Sequence, residues 1–260
     1  ARKLEYLVAD AVVKGAKAIV TCGAAQSNFV RMAAAACATH SLEFHAVVMD
    51  HPYEDEPAEG ARPWTGGNEL LTELFGAHLV KLPDDTWDAL YQAMDEHADH
   101  LRGLLGGHVE VWPVGGSGAL GAFAFREAAQ EIEPNFDFIV FASASGSTQV
   151  GLAHAFRGSA TQVLGIAVDP EPALPLDFAK ISVELSRLTG DEPIPAEEFR
   201  FDLRFVGPGY GVPSGGGEMW RREVARRSGI LLDPIYTGKA FHGLMEMVRD
   251  KEIGGRILFW

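Results

Sequence analysis

Phe138-Ile139-Val140-Phe141-Ala142 runs through Ser143 into Ala144-Ser145-Gly146-Ser147-Thr148-Gln149, and that turn opens a run of small residues, Val150-Gly151-Leu152-Ala153-His154-Ala155-Phe156. A short apolar segment, a Gly/Ser/Thr turn and a helix make up the local pattern with which a chain builds an anion cradle. The turn aims backbone N–H groups inward, and the helix start adds unpaired donors and the positive end of its dipole. Ser145, Ser147 and Thr148 add hydroxyls, and Gly146 lets the backbone approach closely. No lysine follows, so the nucleotide pattern GxxxxGK[ST] is absent. A phosphate group is the expected ligand of residues 144–148. An ordinary strand-to-helix loop is the other reading of the same residues.

The pattern around this stretch repeats. Ala18-Ile19-Val20-Thr21-Cys22 reads as a strand ending in Gly23-Ala24-Ala25-Gln26-Ser27-Asn28, where a second helix begins. Val109-Glu110-Val111-Trp112 ends in Pro113-Val114-Gly115-Gly116-Ser117-Gly118 before a third. Alternation of strand and helix from end to end gives an α/β class with mostly parallel sheets. Gly, Ser and Thr gather where strands end, the edge at which open parallel sheets bind ligands. Ser27 or Asn28 can equally be a plain helix N-cap. The polar segment from His51 to Gly67, rich in Pro, Glu and Gly, reads as a lid or a surface excursion.

Composition sets the outer limits. The 260 residues are 47% apolar and 22% charged, with a net charge of −14. That is enough chain for one large domain or two lobes. The acidic balance argues against nucleic acid or an anionic membrane as partner. Two cysteines, Cys22 and Cys37, make no disulfide framework, and no apolar run reaches membrane-spanning length, so cytoplasm is the expected compartment. His97 and His100 share an acidic helical face that reads as solvated, and no zinc spacing is visible, so no metal site is expected.

Five motifs then occur in order: Arg2-Lys3-Leu4-Glu5-Tyr6, Gly23-Ala24-Ala25-Gln26-Ser27-Asn28, Ser145-Gly146-Ser147-Thr148-Gln149, Gly207-Pro208-Gly209-Tyr210-Gly211-Val212-Pro213 and Asp233-Pro234-Ile235-Tyr236-Thr237-Gly238-Lys239. Together they resemble the pyridoxal-phosphate enzymes that include 1-aminocyclopropane-1-carboxylate deaminase and D-cysteine desulfhydrase. The resemblance implies fold type II: two open, twisted, mostly parallel sheets with flanking helices and the cofactor in the cleft between lobes. The expected lobes are residues 3–117, carrying the substrate-carboxylate turn, and 118–260, carrying the phosphate site. The family's Schiff-base lysine would fall immediately before Ala1, and the family's C-terminal segment would extend beyond Trp260, so a piece of a longer protein is expected. A homodimer is implied as well.

The resemblance also distributes roles. Ala144, Ser145, Gly146, Ser147 and Thr148 would take the cofactor phosphate, Asn28 its phenolic oxygen, and Thr237 would face the pyridine nitrogen. Gln26, Ser27 and Phe29 would line the substrate, with Ser27, Tyr210 and Tyr236 as the catalytic groups. Thr237 stands where the deaminase carries glutamate and the desulfhydrase threonine. A hydroxyl leaves the pyridine closer to neutral, which suits prompt loss of a β-substituent. The expected reaction is therefore α,β-elimination on a cysteine-like amino acid, releasing pyruvate, ammonia and sulfide or thiol. The alternatives are 1-aminocyclopropane-1-carboxylate deamination and a C–S lyase or β-replacement reaction on a larger amino acid, which Phe29 favours. A non-catalytic cofactor-binding protein stands last.

Overall fold

The computed structural model describes residues 1–52, 66–133 and 135–260. The polar segment expected to be a lid or a surface excursion lies mostly outside the described residues. The chain forms two compact units, and the division falls between Gly121 and Ala122.

The first unit runs α1 (Arg2–Val13), β1 (Ala18–Ala24), α2 (Asn28–Thr39), β2 (Glu43–Met49), α3 (Gly67–Leu74), β3 (His78–Lys81), α4 (Trp87–Leu105), β4 (Val109–Trp112) and a 3₁₀ turn at Val114–Gly116. Its sheet has the order β3-β2-β1-β4, with every pairing parallel. Strands buried on both faces split their side chains by parity. Ile19, Phe44, Ala46 and Val48 pack with α1 and α2 residues such as Leu7, Val30 and Ala33. Ala18, Val20, Cys22, Val47 and Met49 pack on the other face with Leu90, Met94 and Ala98 of α4. Both cysteines are buried and free, and desolvation pushes each thiol up to about 12.

The second unit takes in most of α5 (Ala119–Ala128), followed by β5 (Phe138–Ser143), α6 (Ser147–Phe156), β6 (Gln162–Ala167), α7 (Leu174–Thr189), β7 (Phe201–Asp202), α8 (Gly215–Ser228), α9 (Thr237–Arg249) and β8 (Ile257–Phe259). The order β7-β6-β5-β8 is again wholly parallel. Val140, Leu164 and Ile166 face Ala240, Leu244 and Met247 of α9. Ile139 and Phe141 face the other way, toward Leu152 of α6. Two parallel sheets with helices on both faces are the architecture expected of the chain. Three helices begin earlier than their apolar pattern does: α6 at Ser147, α8 at Gly215 and α9 at Thr237.

Candidate active site

In the second unit, β5 ends at Ser143 and α6 starts at Ser147, so Ala144-Ser145-Gly146 makes the whole turn. Gly146 is the N-cap residue, at φ 101°. A Cβ there would come within 2.7 Å of Phe178, so the turn is pressed against α7 and only glycine fits. Gly146 brings no capping side chain to α6, and no acidic residue stands in its first turn. Both features suit a bound dianion, because the helix start presents N–H groups with no negative charge in the same turn. Ser147 and Gln149 are buried, and Gln149 Nε2 donates to Arg200 O at 3.3 Å.

The two tyrosine motifs meet within the same unit. Tyr210 and Tyr236 share a hydrogen bond of 2.6 Å between their hydroxyls, with rings edge to face at 6.1 Å. Burial is the main reason that Tyr236 is pushed up to about 12, so it keeps its proton at neutral pH. Lys239 is wholly buried and donates from Nζ to the carbonyl of Gly209, the residue before Tyr210, at 2.7 Å. Desolvation lowers its ammonium to about 8, against the pull of Asp169 and Asp233. Lys239 thus ties the Gly207–Pro213 loop to α9.

Thr237 opens α9, and Asp233 controls its hydroxyl. Thr237 Oγ1 donates to Asp233 Oδ2 at 2.6 Å and accepts from the Asp233 N–H at 2.8 Å. The same carboxylate accepts from the N–H groups of Ile235, Tyr236 and Thr237. With its proton committed, the hydroxyl can offer a further partner only a lone pair. It therefore favours a partner that carries a proton.

In the first unit the 26–28 turn is tied to α3. Gln26 Nε2 donates to Gly66 O at 3.0 Å, and Gln26 Oε1 accepts from Asn68 N at 2.9 Å. Asn68 Nδ2 donates to Asn28 Oδ1 at 2.8 Å and to Gln26 O at 2.8 Å. Ser27 is the N-cap of α2 and accepts from Val30 N at 3.3 Å, which leaves its own proton to donate. Phe29 turns inward, and a Cβ on Gly116 would come within 2.6 Å of its ring and 2.8 Å of Leu7. Lys3 donates to Gly115 O at 2.5 Å, and burial lowers its ammonium to about 8. Asn68 thus engages both Gln26 and Asn28, while Ser27 keeps a donor.

The profile of the family described as "Pyridoxal-phosphate dependent enzyme" matches residues 1–260. The chain belongs to that family. It is 34% identical over 276 residues to 1-aminocyclopropane-1-carboxylate deaminase of Burkholderia vietnamiensis, covering 99% of this chain and 79% of the relative. The deaminase of Burkholderia cenocepacia strain HI2424 gives the same identity over 277 residues and the same shares. Among solved structures, an "ACC deaminase homologue" superposes with a TM-score of 0.86 at 30% identity, over 99% of this chain and 77% of that one. O-ureido-L-serine synthase, at 18% identity and a TM-score of 0.64 over 99% and 77%, shares the fold. This member of the family is a pyridoxal-phosphate dependent lyase of the deaminase group. The start of α6, with glycine at its N-cap and no acid in its first turn, fits the cofactor's phosphate. Asp233 and Lys239 were not singled out in the sequence, although both stand in the Asp233–Lys239 motif. Their signal was a lysine and an aspartate inside a Gly/Pro-containing turn, where side chains are usually solvated.

Proposed function

We propose that this lyase deaminates a small α-amino acid by breaking a bond to its β-carbon, with 1-aminocyclopropane-1-carboxylate as the first substrate to test. The support is full-length likeness to proteins of that name and one observation in the site, the Asp233–Thr237 lock. Pyridoxal phosphate supplies the electron sink on which such reactions depend. Ring opening needs that sink at full strength, which means a protonated pyridine nitrogen. A free threonine hydroxyl would leave the nitrogen near neutral. Thr237 is not free: its proton goes to Asp233 at 2.6 Å, so it meets the nitrogen as an acceptor. Asp233 thereby does at one remove what a carboxylate would do directly. The objection that Thr237 raises against ring opening is weakened accordingly.

The remaining residues act as donors and positioners. The 144–148 turn holds the phosphate. Tyr236, protonated at neutral pH and hydrogen-bonded to Tyr210, supplies a proton to the carbon or leaving atom that gains charge. Ser27 offers its proton to a substrate carboxylate, and Asn28 its amide to the cofactor's phenolic oxygen. Lys239 keeps Tyr210 in place through Gly209.

The hydroxyl side chain at 237 is itself the observation that favours a second reading, α,β-elimination from a cysteine-like amino acid. One assay separates the two. Protein loaded with pyridoxal phosphate is given 1-aminocyclopropane-1-carboxylate and, separately, D-cysteine. Release of 2-oxobutyrate and ammonia from the first supports the main reading. Pyruvate and sulfide from the second alone move the enzyme to elimination. Turnover of neither overturns both.

A further inference from the structure

Glu43 and His45 lie two residues apart on β2 and so project from one face of the sheet. The parallel register sets His78, the first residue of β3, opposite His45. The two imidazoles lie side by side, with centroids 4.6 Å apart and planes 21° from parallel. Both turn an edge toward one carboxylate: His45 Nε2 is 2.8 Å from Glu43 Oε1, and His78 Nε2 is 3.9 Å from the same atom. One ligand atom from each of the three residues lies within 4.8 Å of the other two. Three donors around a tetrahedral ion with bonds of about 2.1 Å sit roughly 3.4 Å apart. Side-chain shifts of about 1 Å close that gap, with no movement of the backbone.

The buried member of the trio is held from behind. The His45 side chain is 8% exposed, and its Nδ1 lies 3.0 Å from Nε2 of His97 on α4. A metal-bound imidazole characteristically keeps its second ring nitrogen in a hydrogen bond, which fixes ring and tautomer. A bound ion would displace the proton that His45 Nε2 shares with Glu43 and leave the ring proton on Nδ1, toward His97. The His78 side chain is 60% exposed, so that position is open to solvent and to an arriving ion.

We propose that Glu43, His45 and His78 bind one divalent transition-metal ion of the zinc class, with His97 as the positioning residue. Two imidazoles and one carboxylate form a nitrogen-rich set, which selects zinc, cobalt, nickel or copper over magnesium or calcium. The fourth position is left to water. Glu43 and His78 begin their strands, whereas the 23–28 turn follows the end of β1, so the site sits at the opposite edge of the sheet from the ligand turn. Its consequence is mechanical: the ion fastens edge strand β3 to β2. No zinc spacing is visible in the sequence because the ligands come from separate segments and only strand register brings them together.

The test uses the protein loaded with pyridoxal phosphate, freed of metal by chelator and titrated with Zn²⁺ by calorimetry and with Co²⁺ by visible absorption. One ion per chain and an absorption of tetrahedral intensity are expected. His78→Ala, a change at an exposed position, should weaken the affinity at least tenfold, and Glu43→Gln should do the same. His97→Gln should cost about tenfold through the orientation of His45. Saturable zinc should also raise the unfolding temperature of the parent chain and leave that of His78→Ala unmoved. Absence of saturable uptake, or uptake of equal affinity in His78→Ala and Glu43→Gln, would overturn the assignment. The readouts are uptake and melting, so they stand apart from any failure of the proposed deamination.

Discussion

The two units carry the same sheet order, and the first strand of each leads into a helix through a three-residue turn, yet the two turns end differently. After β1, Ser27 caps α2 with its own hydroxyl, and the neighbouring amides are bound to Asn68. After β5, glycine occupies the N-cap of α6 and brings no side chain to cap it. The first helix start has one N–H taken by the hydroxyl of its own N-cap residue. The second has a glycine there, which brings no side chain of its own. Equivalent topology therefore places two turns at comparable strand ends, and the difference in capping is what supports the proposal of a phosphate site at the second.

Breaking the second turn should have the largest effect. Gly146→Val puts a branched side chain at φ 101° against Phe178 and Ile181. A destabilisation of roughly 3 kcal/mol and loss of cofactor binding by more than tenfold are expected, read by melting and by the cofactor's visible absorption. The glycine nearest the first turn is Gly23, near the end of β1, where an added Cβ meets its nearest neighbour, Val30, at 3.3 Å. Gly23→Ala should cost less than about 1 kcal/mol by the same melting assay, and equal losses at the two positions would erase the contrast.

Next comes the lock on Thr237. Asp233→Asn removes the acceptor at Oδ2, and the hydroxyl regains the freedom to donate. The cofactor nitrogen should then be found unprotonated by ¹⁵N resonance of labelled pyridoxal phosphate, with ring-opening turnover down by about tenfold or more. An unchanged nitrogen shift would show that Asp233 only shapes the turn.

Lys239 gives a test in pH. Its pKa lies at about 8 in the folded chain, below the ordinary lysine value, so the unfolded chain binds more protons between about 8 and 10.5. Over that window the stability of the parent should rise relative to Lys239→Met, and below about 8 the difference should be flat. Parallel melting curves across the whole range would remove Lys239 from the site's electrostatics. A small effect is expected at Ser27→Ala, about 1 kcal/mol from the lost cap, with phosphate affinity untouched.

The alternation of strands and helices was legible because each strand is an apolar run bounded by turn residues, and both sheets follow from it. Helix starts were less so. Ser147, Gly215 and Thr237 read as loop because Gly, Ser and Thr are poor helix-interior residues, yet caps and first turns prefer them. β7, two residues long, carries no periodicity to read. Within the site, the cradle and the tyrosines were visible as motifs, but the occupied side chains were not. Gln26 reads as a substrate-lining residue, and the sequence does not show that the carbonyl of Gly66, distant in sequence, accepts from its amide. Phe29 reads as a substrate-lining residue, and the sequence does not show that Gly116 makes room for its ring. Asp233 and Lys239 are charged residues in a turn, and only their burial and partners give them roles.

The cysteines have a practical consequence for spectroscopy and labelling. Cys22 and Cys37 are the chain's only thiols, both are buried, and both stay protonated far above neutral pH. A single cysteine introduced on an exposed helix position, such as Leu188 of α7, would be the one nucleophilic sulfur that a maleimide dye meets in the folded protein. The native background then needs no removal, and a probe can be attached without touching either core.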